Sequence, residues 1–372
     1  MELKKFHFIA LGLIGGSIAK AIRKACPDAV INAYARHPEK LKAGLEDKTL
    51  DRVTDIITDL DFDTDVVFLC APTGSNLENL ETLSKNEFFM TQILPRCLIT
   101  DVGSVKSDIQ KKADSLGLSE HFLGGHPMTG KEKSGYENAD DAILENAYYI
   151  LTPSDKTEKK YTDEFEELVK LIHAIPLKAA PDEHDKATAA ISHVPHLIAA
   201  SLVKSVKDND NEEHFMKTIA AGGFKDITRI ASSDPAMWKS ICKSNTDNIR
   251  DFLHSYIAEL NEVDKMLAEN RFDDIADLFS ETGKYRSSMT SKGRGPLPEI
   301  FRIFVDIPDE PGAIAGIAAL LALRKISIKN TGINHNREQA EGALYIEFYD
   351  EASMRASLPL IKAAGYSVIV DE

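Results

Sequence analysis

A glycine-rich turn after the first apolar run constrains the fold of this chain more than any other feature. Residues 6–11 are predicted to form a buried strand, and residues 12–16 lead into a helix over residues 17–24. Glycines let a backbone approach phosphate oxygens closely, and the free N–H groups at a helix N-terminus bind anions. This order of strand, turn and helix predicts a dinucleotide site, with hydride transfer as its chemistry, formed by Gly12, Leu13, Ile14 and Gly15.

One position departs from the usual pattern of such turns. Ala10 stands where a first glycine normally permits the tightest bend, and a methyl group is tolerable there. The alternative interpretation is a glycine turn that joins a strand to a helix and binds nothing.

The residues after the second predicted strand bear on the choice of cofactor. This strand covers residues 30–34, and an acid that binds the adenosine ribose usually follows it. Here Ala35, Arg36 and His37 follow instead. Arg36 could pair with a 2′-phosphate through a planar, charge-assisted fork, or it could be a solvated residue near the adenine. NAD and NADP are therefore both open as the cofactor.

Composition limits the class of protein. With 372 residues the chain is too long for one core, so we expect two or three domains. Its 59 acidic residues exceed its 44 basic ones, and the net charge of −15 argues against nucleic acid or an anionic membrane surface as a partner. The 4 cysteines lack metal-ligand spacing and suit a reducing compartment. No segment approaches the length of a membrane span, so we expect a soluble, cytoplasmic protein.

The distribution of strand and helix patterns predicts the first two domains. Over residues 1–181 short apolar runs alternate with helical patterns, which is typical of a mostly parallel, doubly wound α/β sheet of the Rossmann type. Over residues 182–290 the strand signals vanish, and long helical stretches such as residues 238–267 predict an all-helical second domain. We expect its apolar faces to pair with a second copy in a homodimer. Further strands of the first domain are predicted at residues 66–70, 98–101, 122–124 and 148–151.

A third domain is predicted over residues 298–372, after an exposed linker rich in Ser, Lys, Gly and Pro over residues 287–298. Its elements follow the order βαββαβ, which is that of a ferredoxin-like domain. Strands are predicted at residues 301–307, 326–333, 343–348 and 366–370, and helices at residues 312–324 and 351–364.

Two motifs of the first domain follow strands, at the sheet edge where ligands of doubly wound folds bind. The first is DVGSVK, residues 101–106, in which Asp101 is expected to contact the cofactor. Ser104 is placed to touch the nicotinamide or the substrate. Alternatively, its hydroxyl caps a helix that begins at Val105.

The second motif, GGHPMTG, presents His126 on a stiff loop with little bulk around it. Glycines and a proline in this arrangement aim a side chain into a shared cleft. An imidazole with an unperturbed pKa of about 6.5 accepts protons at neutral pH, so His126 is predicted to act as an acid or base. A structural histidine is the alternative.

Two more histidines lie in the helical domain. Pro195 interrupts a strongly helical stretch over residues 182–203, and a proline there removes a backbone bond and should kink the helix. His193 and His196 are expected to face the same side. They form no recognisable ligand motif with the nearest carboxylates, so we expect no metal.

The block over residues 221–238 combines a carboxylate and a guanidinium with apolar neighbours. Asp226 and Arg229 are spaced to meet on one helical face, where each can hold the other in a fixed rotamer. A fixed guanidinium binds a carboxylate through two hydrogen bonds. The alternative is a surface ion pair that contributes under about 1 kcal/mol to stability.

Five motifs in this order resemble the prephenate dehydrogenase family of tyrosine biosynthesis over residues 6–290: GLIGGS, DVGSVK, GGHPMTG, SHVPH and GGFKDITRIASSDPAMW. The resemblance implies NAD(P)-dependent oxidation and decarboxylation of prephenate to 4-hydroxyphenylpyruvate. It also implies that His126 is the base for the ring hydroxyl and that Ser104 helps to orient it. Arg229, held by Asp226, would bind the ring carboxylate. The substrate pocket would be lined by His193 and His196.

The tail, with VDIPDEPGAIAGIAALL, resembles an ACT domain, a small module that commonly binds amino acids and regulates the enzyme that carries it. The turn at Pro311, Gly312 and Ala313 could hold an amino-acid carboxylate on its N–H groups, and Asn330 could contact the ligand's polar atoms. End-product control favours tyrosine as the effector. Without a ligand these residues are a tight turn and a sheet position.

Two other functions stay open. Arogenate dehydrogenase acts on a substrate with an amino group in place of the keto group, and the sequence does not separate the two activities. A non-catalytic regulator that senses a nucleotide and an amino acid is the alternative from a different class, although such a sensor needs no base such as His126.

Overall fold

An eight-stranded sheet forms the centre of the first of two units, Met1–Gly295. The computed structural model describes residues 3–131, 133–292, 301–308, 310–334 and 343–370. In chain order the strands of this sheet are β1 Lys5–Ile9, β2 Val30–Tyr34, β3 Arg52–Thr54, β4 Val66–Leu69, β5 Leu98–Asp101, β6 Phe122–Pro127, β7 Tyr148–Thr152 and β8 Ile175–Lys178. They lie side by side in the order β3-β2-β1-β4-β5-β6-β7-β8.

The direction of the strands confirms the predicted Rossmann-type sheet. Strands β1 to β6 are parallel, β7 pairs with β6 in the antiparallel direction, and β8 is parallel to β7. The strand order reverses between β1 and β4, which leaves a crevice at their carboxyl ends. The sequence does not predict β3 or β8, because a run of three or four residues, with Pro176 in β8, carries no recognisable alternation.

Helices cover both faces of the sheet. They are α1 Leu13–Ala25, α2 Lys42–Glu46, α3 Thr73–Ser84, α4 Ser107–Ser115 and α5 Lys159–Leu171. Ile18 of α1 and Phe165 of α5 share one apolar cluster with Phe68 of β4. Leu80 of α3 and Ile109 of α4 belong to a second cluster on the other face. Two cores on opposite faces are what a doubly wound sheet requires.

The glycine turn belongs to α1 itself, because this helix begins at Leu13, earlier than predicted. A Cβ atom at Gly15 would lie 2.7 Å from the Sγ atom of Cys70, and one at Gly16 would lie 2.7 Å from the Cβ atom of Ala139. These two glycines therefore let α1 pack closely on its neighbours.

Only helices follow the sheet in the described part of the first unit, as predicted for the second domain. They are α6 Pro181–Thr188, α7 Val194–Asn209, α8 Phe215–Ile219, α9 Gly222–Thr228, α10 Pro235–Ser244, α11 Thr246–Ala268 and α12 Phe272–Lys292. The single helix predicted over residues 238–267 is broken at Asn245, between α10 and α11.

In place of the predicted kink at Pro195, the structure has a π-helical turn just before it, within one helical run over Pro181–Asn209. Helix α6 ends at Thr188, a π-helical turn covers Ala189–His193, and α7 begins at Val194. Pro195 lies in the first turn of α7, directly after the π turn. The wider π turn therefore provides the discontinuity, and it carries His193.

The linker expected from residue 287 begins later than predicted. Helix α12 continues to Lys292, because the Ser, Thr, Lys and Met residues there are compatible with a helix. Residues 293–298, the remainder of the expected linker, lie outside the described residues.

One helical run corrects the expectation that no segment approaches the length of a membrane span. Residues Pro181–Asn209 form a run of 29 residues that is long and apolar enough to cross a membrane by length and composition. This run contains His184, Asp185 and Thr188, which are buried and hydrogen-bonded within the protein. Buried polar groups with protein partners are typical of a helix that packs within a folded domain.

The second unit, Pro296–Glu372, has the predicted order βαββαβ. Its elements are β9 Phe301–Asp306, α13 Ala313–Leu323, β10 Ile328–Asn334, β11 Ala343–Phe348, α14 Glu351–Ala363 and β12 Val368–Val370. The four strands form an antiparallel sheet in the order β10-β11-β9-β12. Ile303 and Ile346 of the sheet pack with Ile317 of α13 and Ile361 of α14 in a core of their own.

Candidate active site and cofactor cleft

A cleft opens beside the carboxyl ends of β1, β2 and β4, where the strand order reverses. Its volume is about 530 Å³, and its lining includes Gly12, Ala35, Arg36, Cys70 and Pro72. Ligands of doubly wound sheets bind in this crevice. The volume is within the range of pockets for small molecules and cofactors, about 300–1,000 Å³.

Backbone N–H groups at the N-terminus of α1 are free to bind a ligand. No side chain caps this helix, and its first backbone hydrogen bond runs from Gly16 N to Gly12 O. A Cβ atom at Gly12 would meet nothing within 4 Å, so the backbone there is open to close approach. The N–H groups of Leu13, Ile14 and Gly15 are thus free for an anion, which fits a dinucleotide pyrophosphate.

Ala10 lies in the tight bend of the turn, at the place where such turns usually have a glycine. Its φ is 66°, in the left-handed region, and its N–H donates to the carbonyl of Tyr34 at 3.0 Å. The turn thus keeps its shape with a methyl group present, at a conformational cost that glycine would avoid.

The carboxylate of Asp101, which the sequence predicts to contact the cofactor, is buried and bonded to groups of the protein. Its side chain is 1% exposed and forms an ion pair with Lys106 Nζ. The same carboxylate accepts hydrogen bonds from the N–H groups of Gly103, at 2.9 Å, and Gly125, at 3.3 Å. Its role is to hold together the ends of β5 and β6.

Lys106 lies under the site and is one of the residues that sequence reasoning missed. Its side chain is fully buried, and besides Asp101 it donates to the carbonyl of Gly125 at 2.7 Å. Burial lowers the pKa of Lys106, and the charge of Asp101 opposes that shift. Lysine is almost never fully buried unless it is paired, so this ion pair is what keeps it there.

His126 lies near the end of β6 and is the first member of a hydrogen-bonded chain. Its Nδ1 atom lies 2.8 Å from Nε2 of His184, and Nδ1 of His184 lies 2.9 Å from a carboxylate oxygen of Asp185. Asp185 also accepts the backbone N–H groups of Lys106, at 2.7 Å, and Ser107, at 2.8 Å. No motif in the sequence predicts a role for His184 or for Asp185, which is one of the carboxylates near His193 that form no metal-ligand motif.

The chain of hydrogen bonds determines which nitrogen of His126 carries a proton. A carboxylate only accepts, so Nδ1 of His184 donates to Asp185 and Nε2 of neutral His184 is an acceptor. Nδ1 of His126 then donates to His184, which leaves a lone pair on Nε2 of His126. That lone pair is the one available to a substrate.

Electrostatics favour the neutral form of His126. Burial holds the pKa of His126 well below its ordinary value, and positive charge at His184, Lys106 or His193 lowers it further. Burial opposes ionisation of Asp185, but hydrogen bonds from His184, Ser107 and Lys106 hold the pKa of its carboxyl below the usual value. The site thus contains a neutral imidazole, His126, and an ionised carboxylate, Asp185, with His184 hydrogen-bonded between them.

Ser104 is not the helix cap that the sequence allows. Helix α4 begins at Ser107, and the two N–H groups at its start donate to Asp185 of α6 instead. In the described part of the chain the partner of His126 Nδ1 is His184 rather than Ser104. Ser104 is partly buried, in the loop between β5 and α4.

His193 is buried, with an unsatisfied nitrogen. Its Nδ1 atom lies 3.2 Å from the side-chain nitrogen of Asn245, which also donates to the carbonyl of Asp185 at 2.7 Å. Nδ1 of His193 is therefore an acceptor, and its Nε2 carries a hydrogen with no partner among the described residues. Burial lowers the pKa of His193 to about 4, so this ring is neutral. An unpaired buried donor is a ready group for a bound ligand.

The ring of Trp238 contacts both His193 and His196. Its ring centroid lies 4.2 Å from that of His196 and 6.1 Å from that of His193. The Nδ1 atom of His196 donates to the carbonyl of Ser192 at 2.8 Å. Sequence reasoning did not single out Trp238, although it is the single tryptophan of the chain and ends the block that carries Arg229.

Asp226 and Arg229 are exposed in the single chain. Asp226 lies on α9, and Arg229 begins a 3₁₀ turn, Arg229–Ser232, that packs against α7, the helix that carries His196. The apolar surroundings expected for this pair are partly absent, because Ile227 is 63% exposed.

The candidate effector residues lie in the second unit. Gly312 has a φ of 98° and precedes α13, whose N-terminus has no side-chain cap. Pro311 is exposed, and Ala313 is the first residue of α13. Asn330 is exposed on β10, where its side-chain oxygen accepts the N–H of Thr331 at 2.9 Å.

Two family models match the chain. One is described as "Prephenate dehydrogenase, nucleotide-binding domain" and matches residues 18–176. The other is described as "Prephenate dehydrogenase, dimerization domain" and matches residues 180–281.

Known proteins similar to this chain agree with those models. A prephenate dehydrogenase of Bacillus subtilis is 37% identical, with coverage of 95% of this chain and 94% of the relative. One of Lactococcus lactis subsp. cremoris is 34% identical, with coverage of 99% and 100%. A crystal structure of prephenate dehydrogenase from Aquifex aeolicus in complex with hydroxyphenyl propionate and NAD+ is 29% identical and has a TM-score of 0.72, with coverage of 78% of this chain and 99% of that one.

Proposed function

This chain belongs to the prephenate dehydrogenase family, and we propose that it oxidises and decarboxylates prephenate to 4-hydroxyphenylpyruvate with NAD as the hydride acceptor. The observation that carries the proposal is the chain from His126 through His184 to Asp185, which leaves one basic nitrogen at the same sheet edge as the glycine turn. A family member with this arrangement has the base that the reaction needs.

The residues that would hold the cofactor are those at the start of α1. Gly12 permits close approach of the pyrophosphate, and the N–H groups of Leu13, Ile14 and Gly15 are free to bind it. The bound cofactor supplies the nicotinamide ring that accepts the hydride.

His126 is the proposed base. Its Nε2 lone pair accepts a hydrogen bond from the ring hydroxyl of prephenate and takes that proton as the C–H bond breaks. The proton makes His126 positive, and its Nδ1–H then donates to His184, whose other nitrogen donates to the ionised Asp185. The carboxylate stabilises the positive charge through this chain. Loss of the ring carboxylate as carbon dioxide makes the ring aromatic, so the reaction is effectively irreversible.

The remaining polar groups are proposed to position the substrate. Arg229, steadied by Asp226, binds the ring carboxylate through two hydrogen bonds. Ser104 touches the reacting hydroxyl as a second catalytic group. The unpaired Nε2–H of His193 supports its place in the substrate pocket, which is also lined by His196.

We propose that the chain acts as a cytoplasmic homodimer with domains over residues 1–181, 182–290 and 298–372. The second family model, described as a dimerization domain, supports pairing through the helical region. Large apolar side chains exposed there in the single chain support it too, among them Phe215, Ile219, Phe252, Leu260 and Phe279.

The second unit is proposed to be an ACT domain that binds tyrosine. Its order βαββαβ and antiparallel sheet support the fold, and the uncapped N-terminus of α13 after Gly312 supports an anion site. Pro311 has no N–H group, and the N–H of Ala313 donates to the carbonyl of Glu310 at 3.2 Å. The amino-acid carboxylate would therefore accept a hydrogen bond from the N–H of Gly312, and Asn330 would contact its polar atoms.

Steady-state assays of the purified protein test the reaction. Prephenate and arogenate are each supplied with NAD, and formation of reduced cofactor is followed together with release of carbon dioxide. With prephenate we expect reduced cofactor and carbon dioxide to form in equal amounts. Turnover with arogenate alone would replace the proposed substrate, and no turnover with either would refute the proposal.

A further inference from the structure

The segment that leaves β4 forms one wall of the cofactor cleft. Strand β4 ends at Leu69, α3 begins at Thr73, and the cleft lining includes Cys70, Ala71 and Pro72 between them. In a doubly wound fold a dinucleotide lies across the point where the strand order reverses, which here is between β1 and β4. A bound cofactor therefore meets this segment as well as the start of α1.

The side chain of Asn76, on α3, holds this segment by three hydrogen bonds. Its Oδ1 atom accepts the N–H of Ala71 at 3.2 Å, and its Nδ2 atom donates to the carbonyls of Ala71, at 2.8 Å, and Leu69, at 3.1 Å. The amide thus pairs with Ala71 through two hydrogen bonds, as the peptide group of a neighbouring strand would. Both of its donors and its acceptor are used within the protein.

Asn76 takes over where the hydrogen bonds of the sheet end. The ladder between β1 and β4 finishes with the N–H of Cys70, which donates to the carbonyl of Ile9 at 2.8 Å. Among the residues that the structure describes, the backbone N–H and carbonyl of the next residue, Ala71, both bond to Asn76. Pro72 then has no N–H to offer. The cleft wall at this point is therefore held by a side chain rather than by the sheet.

This side chain lies behind the cleft wall and not in it. Asn76 is fully buried, whereas the cleft lining takes Ser75, Glu78 and Asn79 from the same helix. A buried amide costs free energy unless its hydrogen bonds are made, and here all of them go to the backbone of the wall. What Asn76 determines is thus the position of that backbone.

The same segment also supports the glycine turn. The Sγ atom of Cys70 lies so close to α1 that a Cβ atom at Gly15 would be 2.7 Å from it. A shift of the chain after β4 would therefore disturb the start of α1, where the N–H groups are free to bind the pyrophosphate.

We infer that Asn76 is a positioning residue for the cofactor, which fixes the backbone at Ala71 and Pro72 and thereby sets the affinity for NAD without touching it. Loss of the amide leaves buried backbone groups of Leu69 and Ala71 short of partners, and the segment moves to satisfy them with water. A wall displaced in this way no longer fits the dinucleotide. The inference rests on the proposed function only in requiring NAD in this cleft.

Calorimetric titration of the full chain with NAD, in the absence of prephenate, tests the inference. Asn76→Ala should weaken NAD binding by about tenfold or more, the equivalent of one or two net hydrogen bonds. With NAD saturating, kcat and the KM for prephenate should stay within about twofold of the parent chain. The reason is that Asn76 bonds to the cleft wall and not to the histidine chain.

A second variant assigns the effect to the amide donors. Asn76→Asp keeps the shape of the side chain and its acceptor for the N–H of Ala71, but it removes both donors. It should lower the affinity for NAD as Asn76→Ala does.

Leu80→Ala is the matched control on the same helix. Leu80 lies one turn further along α3, is as buried as Asn76, and contributes apolar packing to the second cluster. The variant should unfold at a lower urea concentration, yet its affinity for NAD should stay within about twofold of the parent chain.

Three results would overturn the role of Asn76. The first is NAD affinity in Asn76→Ala within about twofold of the parent chain. The second is an equal loss in Leu80→Ala, which would trace the effect to the stability of α3 alone. The third is failure of both Asn76 variants to fold, which would make this residue purely structural. A parent chain that binds NAD but turns over no prephenate would refute the proposed reaction and leave the role of Asn76 standing.

Discussion

Among single residues, a carboxylate that accepts hydrogen bonds but cannot donate them determines the histidine tautomers of the site. Asp185 accepts from His184, so the tautomer of His184 is determined, and through it the tautomer of His126. The left-handed φ of Ala10 shows a similar dependence on surroundings, because a residue that disfavours this conformation is held there by the turn. Asp185 thus determines the tautomer of His126 through His184, without touching His126 itself.

Replacement of the proposed base tests its role. His126→Asn should lower turnover by about 100-fold or more, because no basic nitrogen is left, while NAD affinity stays nearly intact. Steady-state kinetics and cofactor titration measure the two effects. His173→Asn is the control, since His173 is exposed with a φ of 62°, which asparagine tolerates. Unchanged turnover in His126→Asn would remove this residue from the mechanism.

His7 predicts a dependence of stability on pH. This residue of β1 is 1% exposed, neither ring nitrogen has a partner among the described residues, and burial lowers its pKa to about 4. The unfolded chain, with a histidine pKa of about 6.5, binds the proton more readily. Stability from the neutral ring is therefore complete above about pH 6.5 and is lost as the pH falls toward 4.

The variant His7→Leu should remove this dependence. We expect it to raise the free energy of unfolding by about 1 kcal/mol at pH 7, because two unsatisfied polar atoms are removed, and by more at pH 5. Urea unfolding at both pH values measures the change. A variant that is less stable than the parent at pH 5 would contradict the assignment of His7 as a buried neutral ring.

At the scale of elements, one lysine joins the parts that hold the site. The side chain of Lys106 contacts β5 through Asp101 and β6 through Gly125, and its backbone N–H donates to Asp185 of α6. The start of α4 is therefore capped by a neighbouring helix rather than by its own sequence. These contacts keep β6, and with it His126, in a defined position.

Breaking the buried ion pair should be costly. Lys106→Met leaves the charge of Asp101 buried and unpaired, so we expect the free energy of unfolding to fall by about 3–5 kcal/mol. The double variant Lys106→Met with Asp101→Asn should recover much of that loss, because no charge remains. Denaturant unfolding at one pH compares the variants.

A lysine on the same helix provides the control for that experiment. Lys112 of α4 pairs with Glu81 at 2.8 Å, but both side chains are partly exposed. Lys112→Met should therefore change the free energy of unfolding by less than about 1 kcal/mol. If the double variant were as unstable as Lys106→Met alone, the loss would not come from the unpaired charge.

At the scale of the whole molecule, the two units have separate cores and separate proposed tasks. The first unit holds the cleft and the histidine chain, and the second has its own apolar cluster around Ile303 and Ile317. A unit with its own core can fold by itself and regulate by shifting an equilibrium that its ligand biases.

Removal of the second unit tests that division. A chain that ends at residue 297 should keep its turnover of prephenate and lose inhibition by tyrosine. Tyrosine titrations of the full and shortened chains measure this, with Asn330→Ala in the full chain as a point variant that should weaken inhibition. Undiminished inhibition of the shortened chain would place the effector site in the first unit.

Elements with local signals are predictable from the amino-acid sequence alone. Strand β2 was predicted with its observed bounds, and the strand, glycine turn and helix at the N-terminus were predicted in order, because periodicity and glycine content act over a few residues. The order βαββαβ of the second unit was readable for the same reason. The candidate base, His126, was found because its glycines and proline are its neighbours in the chain.

The groups that surround His126 are brought there by packing between elements that lie far apart in the chain. His126 and His184 are 58 positions apart, and they meet because α6 packs against α4. Packing also buries the ion pair between Asp101 and Lys106. The N–H groups at the start of α4 donate to Asp185 of α6 rather than to Ser104. Hydrogen bonds and buried ion pairs depend on distances in space, which no local pattern along the chain encodes.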